Sequence, residues 1–204
     1  MEDVSAAQRK EELRLRAAEL LAGVSPESRE DLAESIWTHL EALPAFTNAG
    51  VLGIWYATGA QVPTLTLIIR LVEQEGRRVF LPFVQSDELR LTEWRPAEPV
   101  TQGDYVGIQP RYCRATSGDE VKAFLVPGLL FDRRGNRLGS GRGLYDRLLA
   151  ALPPDAVKIG VAFHVQLFDD VPMDGNDVAM DYVATEQGVI ACTDAARAAS
   201  DSPR

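Results

Sequence analysis

The sequence predicts an α/β fold: a single domain in three layers, α/β/α, around a mostly parallel sheet. Three observations carry that expectation. Short apolar runs alternate with amphipathic stretches at helical spacing, which is the pattern of strands joined by crossover helices. No internal repeat or linker divides the 204 residues, a length that one hydrophobic core can serve. Hydrophobic residues make up 46% and charged residues 25%, enough apolar surface to bury a sheet and enough charge to cover the outside.

The elements follow in order. Residues 6–22 set Leu13, Ala17, Leu20 and Leu21 at helical spacing, and Gly23 stops the run. Ser25-Pro26 reads as an N-cap with proline at the first helical position, opening a second helix to about Leu43. "VLGIWYA" at 51–57 is a buried strand, and Pro63-Thr64 opens a helix that Gly76 ends. Strands are expected at 77–84, 89–94 and 121–128. A glycine-rich loop then leads into a helix over 143–152, a fourth buried strand at 156–163, and a closing strand at 180–190. The domain is expected to span 1–191. The small, polar tail 192–204 is expected to be disordered.

A formal charge of −9 argues against a nucleic-acid partner, which needs a basic face. No apolar run is long enough to span a bilayer, and the first residues lack the apolar core of a signal peptide. Cys113 and Cys192 have neither metal spacing nor a disulfide framework. A reduced, cytoplasmic setting is expected, and a monomer with small-molecule partners only.

One stretch breaks the acidic background. "FDRRGNRLGSGRGLYDRLLA" (131–150) carries arginines at 133, 134, 137, 142 and 147 beside alternate glycines at 139, 141 and 143. It is neither a P-loop, which needs a Gly-Lys pair, nor a dinucleotide fingerprint, because Leu144 stands where the last glycine belongs. Alternate glycines let backbone N–H groups face one anion, and the helix that follows adds its N-terminus. A solvated turn with arginines in water explains the glycines about as well. Asp146 has a plain reading too, as an acid in a first helical turn. His39 and His164 read as structural.

"VPGLLFDRRGNRLGSGRGLYDRLL" (126–149) resembles the signature of the 5-formyltetrahydrofolate cyclo-ligase family. "KEELR" (10–14), "YATGAQVPT" (56–64), "GIQP" (107–110) and 159–190 resemble that family in order and spacing, over about residues 8–190. The resemblance implies ATP- and Mg²⁺-dependent ring closure. ATP would phosphorylate the formyl oxygen of 5-formyltetrahydrofolate, N10 would attack the activated carbon, and loss of phosphate would leave 5,10-methenyltetrahydrofolate and ADP. Such chemistry asks the protein mainly to position groups and neutralise charge.

The resemblance also implies roles for named residues. Lys10 and Arg14 would contact ATP, although alone they read as a solvated helix face. Arg137, Gly139, Ser140, Gly141, Arg142, Gly143 and Tyr145 would wrap the phosphates, with Arg142 and Tyr145 nearest the chemistry. Asp146 and Asp177 would hold Mg²⁺, with Asp181 a weaker candidate that can also be read as a strand cap. Tyr56, Gln61, Thr64, Ser140 and Leu144 would border the folate. Three positions depart from the family's habit. Gln61 replaces a usual glutamate and keeps an acceptor oxygen without the charge. Leu144 replaces one of two aromatics, and Pro63 replaces an acid. A member acting on another formyl or amide compound, and a binding module without turnover, remain the competing readings.

Overall fold

The chain begins as an amphipathic helix, α1 (Ala6–Ala22), with only Ala17 and Leu21 buried. This computed structural model describes residues 6–95, 98–103 and 108–200. In α2 (Pro26–Glu41), Ser25 caps the start by accepting the Ser28 N–H, as expected. A short α3 (Pro44–Thr47) precedes β1 (Val51–Gly53). The strand expected over 51–57 stops at Gly53, and only Ile54 N–H continues the ladder, to Phe80 O at 3.0 Å. Next come α4 (Leu65–Ile69), continued by a π-helical turn over Arg70–Gln74, then β2 (Arg78–Gln85) and β3 (Glu88–Trp94). A small antiparallel pair, β4 (Val100–Gln102) and β5 (Ile108–Pro110), lies outside the expected elements. Gly107, which begins the "GIQP" match, lies outside the described residues.

The buried strand β6 (Ala123–Pro127) is followed by β7 (Leu130–Asp132) and β8 (Arg137–Leu138), α5 (Leu144–Ala150) and β9 (Val157–Val161). A 3₁₀ turn over His164–Gln166 leads to β10 (Leu167–Phe168). The segment expected to close the sheet as one strand is a hairpin, β11 (Tyr182–Thr185) and β12 (Gly188–Ala191). Last comes α6 (Asp194–Ser200).

Seven strands form one sheet in the order β12-β11-β9-β6-β1-β2-β3. Its five central strands run parallel and both edges are antiparallel. Strand alternation divides the core. On one face Leu52, Ile54 and Leu125 pack with Trp37, Phe46 and Ile68 from α2, α3 and α4. On the other, Phe124, Val126 and Val183 meet Leu148 and Leu149 of α5. The expected three layers are therefore present. Each large side chain fully buried there contributes about 1.5–3 kcal/mol over an exposed one.

A second sheet, β10-β7-β8, stands apart and carries α1, whose Ala17 packs with Leu130, Leu138 and Val171. It corrects the reading of 131–143 as one loop. Asp132 is completely buried and accepts from Arg134, Asn136 and Val171 N–H groups at 2.9, 3.0 and 3.1 Å. Those bonds turn "FDRRGNRL" into a hairpin. The tail is also corrected up to Ser200. Thr193 Oγ1 accepts the Ala196 N–H at 3.1 Å and Ala196 is buried, so α6 has both a cap and a packed face.

Candidate active site

Beyond β8 the chain passes over the rim of the main sheet. Gly141 and Gly143 take positive φ values of 98° and 62°, a region that other residues enter at a cost. A Cβ at Gly139 would lie 2.8 Å from Arg137 Nη1, and one at Gly141 would lie 3.2 Å from the Arg14 guanidinium. Dihedral favours glycine at 141 and 143, and at all three positions an added side chain would crowd an arginine head group. The three glycines border a cleft of about 550 Å³. Into it come Lys10 and Arg14 from α1, residues 137–147, and Asp174 and Asp177 from the loop before β11. Helix α5 has only seven residues, and its Gly143 cap makes no side-chain bond. Its N-terminus adds less to an anion site than the sequence suggests.

Three of the cations in this cleft, Lys10, Arg14 and Arg137, are paired with carboxylates. Arg137 Nη2 donates to Asp146 Oδ1 at 2.8 Å, with side chains only 4% and 11% exposed. Val178 N–H donates to the same Oδ1 at 3.3 Å, which sets Asp146 beside the segment that carries Asp177. Lys10 Nζ reaches Asp177 at 2.6 Å and Asp174 at 2.9 Å. Burial works against the Lys10 charge, but the two carboxylates outweigh it and raise the ammonium pKa above its usual value. Lys10 in turn holds the Asp174 carboxyl below the usual range. Arg14 pairs with Glu11 and donates from Nε to Gly139 O at 3.2 Å. Of the five clustered arginines, 137, 142 and 147 line the cleft. Arg134 turns away to Asp132 and Asp170.

A second pocket of about 170 Å³ opens on the other side of the same wall. It shares Arg137, Gly139, Ser140 and Tyr145 with the cleft and adds Trp55, Gln61, Val62 and Gln166. The Arg137 guanidinium carbon lies 5.7 Å from the centre of the Tyr145 ring. Burial pushes the Tyr145 hydroxyl above the usual phenol range, against the Arg137 charge. It therefore stays protonated near neutrality.

Every residue expected at the phosphates lines the larger cleft, as do Asp146 and Asp177, whereas the weaker metal candidate Asp181 does not. Of the residues expected at the folate, Gln61 and Ser140 line the smaller pocket, Leu144 lines only the larger cleft, and Tyr56 and Thr64 line neither. Thr64 is 1% exposed; its hydroxyl donates to Trp55 O at 2.8 Å and accepts Ala57 N–H at 2.9 Å, bracing the loop between them. Tyr56 packs against the core and bridges Ile108 through its backbone. Asp181 accepts Lys158 N–H at 2.9 Å and ties two strands, the capping alternative. His39 Nδ1 lies 3.2 Å from Thr185 O.

Trp55, Gln166 and Asp174 were not foreseen. An aromatic directly after an apolar strand is the one local signal for Trp55. Among the described residues no group of three or more His, Cys, Asp or Glu could hold a metal ion. Asp146 and Asp177 on adjacent segments suit a different kind of site, in which Mg²⁺ is held by one or two carboxylates together with phosphate oxygens.

A cationic, glycine-walled cleft shares four lining residues with a pocket that holds Trp55 and Tyr145, beside an α/β sheet, a geometry that suits an enzyme. The 5-formyltetrahydrofolate cyclo-ligase family profile matches residues 6–186, and the chain belongs to that family. The 5-formyltetrahydrofolate cyclo-ligase of Mycolicibacterium smegmatis is 34% identical over 143 residues, covering 65% of this chain and 72% of its own. That of Mus musculus is 27% identical over 194 residues, covering 85% and 92%. The solved 5,10-methenyltetrahydrofolate synthetase of Aquifex aeolicus superposes with a TM-score of 0.79 at 30% identity, over 91% of this chain and 93% of that one. The Mycoplasma pneumoniae 5,10-methenyltetrahydrofolate synthetase, at 21% identity and a TM-score of 0.70 over 87% and 98%, shares the fold.

Proposed function

We propose that the chain converts 5-formyltetrahydrofolate and ATP to 5,10-methenyltetrahydrofolate, ADP and phosphate. The observation that carries this reading is the shared wall. Two ligands, one in each cavity, would meet at Arg137, Gly139, Ser140 and Tyr145. That is the arrangement needed to pass a phosphoryl group from a nucleotide to a formyl oxygen.

The nucleotide's phosphates lie along Gly139–Gly143, with Lys10, Arg14, Arg137 and Arg142 supplying positive charge. Asp146 and Asp177 would hold Mg²⁺, which would supply positive charge to screen the phosphates during phosphoryl transfer. Arg142 and Tyr145 face the transferring group. Phosphorylation turns the formyl oxygen into a leaving group, N10 of the same folate attacks the carbon, and the N10 proton and phosphate depart. Charge neutralisation and a fixed near-attack geometry carry the rate, with no side-chain nucleophile required. Both cavities are completed by a single chain, which suits a monomer. Among the described residues no helix is long and apolar enough to cross a membrane.

Incubation with 5-formyltetrahydrofolate, ATP and Mg²⁺ should raise methenyl absorbance, and chelating the metal should stop it. Folded protein at micromolar concentration giving no product above the enzyme-free rate would overturn the reading.

A further inference from the structure

Arg29 stands in the first turn of α2, where a cation works against the helix dipole. Its half-buried guanidinium reaches instead to main-chain oxygens of two other segments. Nη2 donates to Leu21 O in the last turn of α1 at 3.4 Å, and Nη1 donates to Gly59 O at 3.0 Å. Leu21 O is one of the carbonyls that a helix end leaves short of partners, and a cation there is favoured by the dipole of α1. Arg29 Nε is buried without a partner, so among the described residues those two bonds are all that the head group makes.

The second oxygen lies in a turn that little else holds. Gln61 N–H donates to Thr58 O at 3.3 Å and Gln61 Oε1 accepts Thr58 N–H at 2.9 Å, so the turn closes on itself. Gly59 has a φ of 63°, and a Cβ built there meets no atom within 4 Å, so packing does not locate the tip. Among the described residues, the bond from Arg29 is the one hydrogen bond that joins residues 57–62 to an element outside 55–64. Leu21, Gln61 and Val62 all line the smaller pocket. Arg29 therefore ties together two segments that border the pocket, and does not line it.

We propose that Arg29 is a positioning residue for the reaction, a strut that sets the 58–61 turn at a fixed distance from the end of α1. It touches neither ligand, and acts by holding Leu21 and Gln61 at one separation across the pocket. A guanidinium suits this because its terminal nitrogens lie in one plane at a fixed span, whereas an ammonium is a point charge on a flexible stem. Helix α1 also brings Lys10 and Arg14 to the larger cleft, so the strut joins the pocket to the helix that serves the other cavity. The inference rests on the folate reading for the identity of the pocket's ligand, and not for the strut itself.

Two variants separate this role from plain stabilisation. Arg29→Met keeps the stem and removes both bonds, and Arg29→Lys keeps the charge without the span. Thermal unfolding checks that each is folded. In Arg29→Met, amide hydrogen exchange at Thr58 and Gln61 should quicken about tenfold, while exchange in the central strands stays as it was. The KM for 5-formyltetrahydrofolate should rise about tenfold, with kcat and the KM for ATP within about twofold. Arg29→Lys should fall between, at about threefold in exchange and in the folate KM. A residue that serves stability alone would lower the unfolding temperature and leave both KM values in place, and that result overturns the inference. An equal rise in the two KM values overturns it too, as does unchanged exchange in the turn. If Arg29→Met does not fold, Arg29→Lys decides, and normal exchange with a normal folate KM in that variant overturns the inference. Failure of the unchanged chain to form product overturns the folate reading alone, since exchange at Thr58 and Gln61 still tests the strut.

Discussion

Across the wall of Arg137, Gly139, Ser140 and Tyr145, two cavities handle polarity in opposite ways. In the larger one, Lys10 meets Asp174 and Asp177, Arg14 meets Glu11, and Arg137 meets Asp146. Any anion that meets Lys10, Arg14 or Arg137 must exchange partners with carboxylates already in place. In the smaller one, Trp55 Nε1–H and Arg137 Nε–H are buried without partners among the described residues. Binding in the cleft is therefore an exchange, sensitive to which charges are removed.

The largest effect should come from the wall itself. Asp146→Asn leaves Arg137 buried without its counter-charge and should cost about 3–5 kcal/mol of stability, together with nearly all turnover. The double variant Arg137→Met/Asp146→Asn should recover most of that stability on thermal unfolding and none of the activity. A double variant no more stable than the single would show that the pair is not the cause.

Next comes Gly141→Val. A side chain at φ 98°, with its Cβ 3.2 Å from the Arg14 guanidinium, should lower turnover about a hundredfold. It should cost only about 1–3 kcal/mol in backbone strain. Normal kinetics would reduce the loop to a surface turn. Arg142→Ala should follow, with a loss in turnover of about tenfold or more as charge is removed from the transferring phosphate. Its affinity for 5-formyltetrahydrofolate should be unchanged, because Arg142 lines only the larger cleft.

The smallest effect lies far from both cavities. Arg78 holds the Glu93 carboxyl below its ordinary pKa of about 4.5 through hydrogen bonds at 2.9 and 3.1 Å. A depressed folded pKa means the contribution is present above that ordinary value and is lost as pH falls below it. Glu93→Gln should cost less than about 1 kcal/mol at pH 7. Denaturant titrations should show the gap to the unchanged chain closing toward pH 3. A gap that widens on acidification would reverse the sign assigned here.

Much of this was legible in the order of residues. Apolar runs such as 121–128 and 156–163 become adjacent central strands, because a strand buried on both faces must be continuously apolar. The glycine and arginine spacing of 137–143 marked the cleft, since its geometry is local. What stayed hidden is long-range. Asp132 reads as one acid among arginines until Val171 N–H, 39 positions on, is seen to bind it. Thr64 looks like a ligand residue until its hydroxyl is found between Trp55 and Ala57. The Gln61 oxygen counts as available until Thr58 takes it. Period and composition report which face is apolar, and they do not report which hydrogen bond is already made.

The Lys10 to Asp177 contact joins positions 167 residues apart, and it has a consequence for how the chain comes into being. During synthesis α1 emerges first, while the loop that anchors it is made near the end. A free helix of 17 residues is marginal in water. Until Leu130 and Leu138 are made the first helix lacks its packing partners in the second sheet, and until Asp174 and Asp177 follow Lys10 has no counter-charge. The sheet can assemble from the middle of the chain in that interval, but the cleft cannot. Binding competence is therefore the last property a newly made molecule acquires, and a ribosome-stalled fragment ending before Asp174 should be largely folded yet unable to retain a nucleotide.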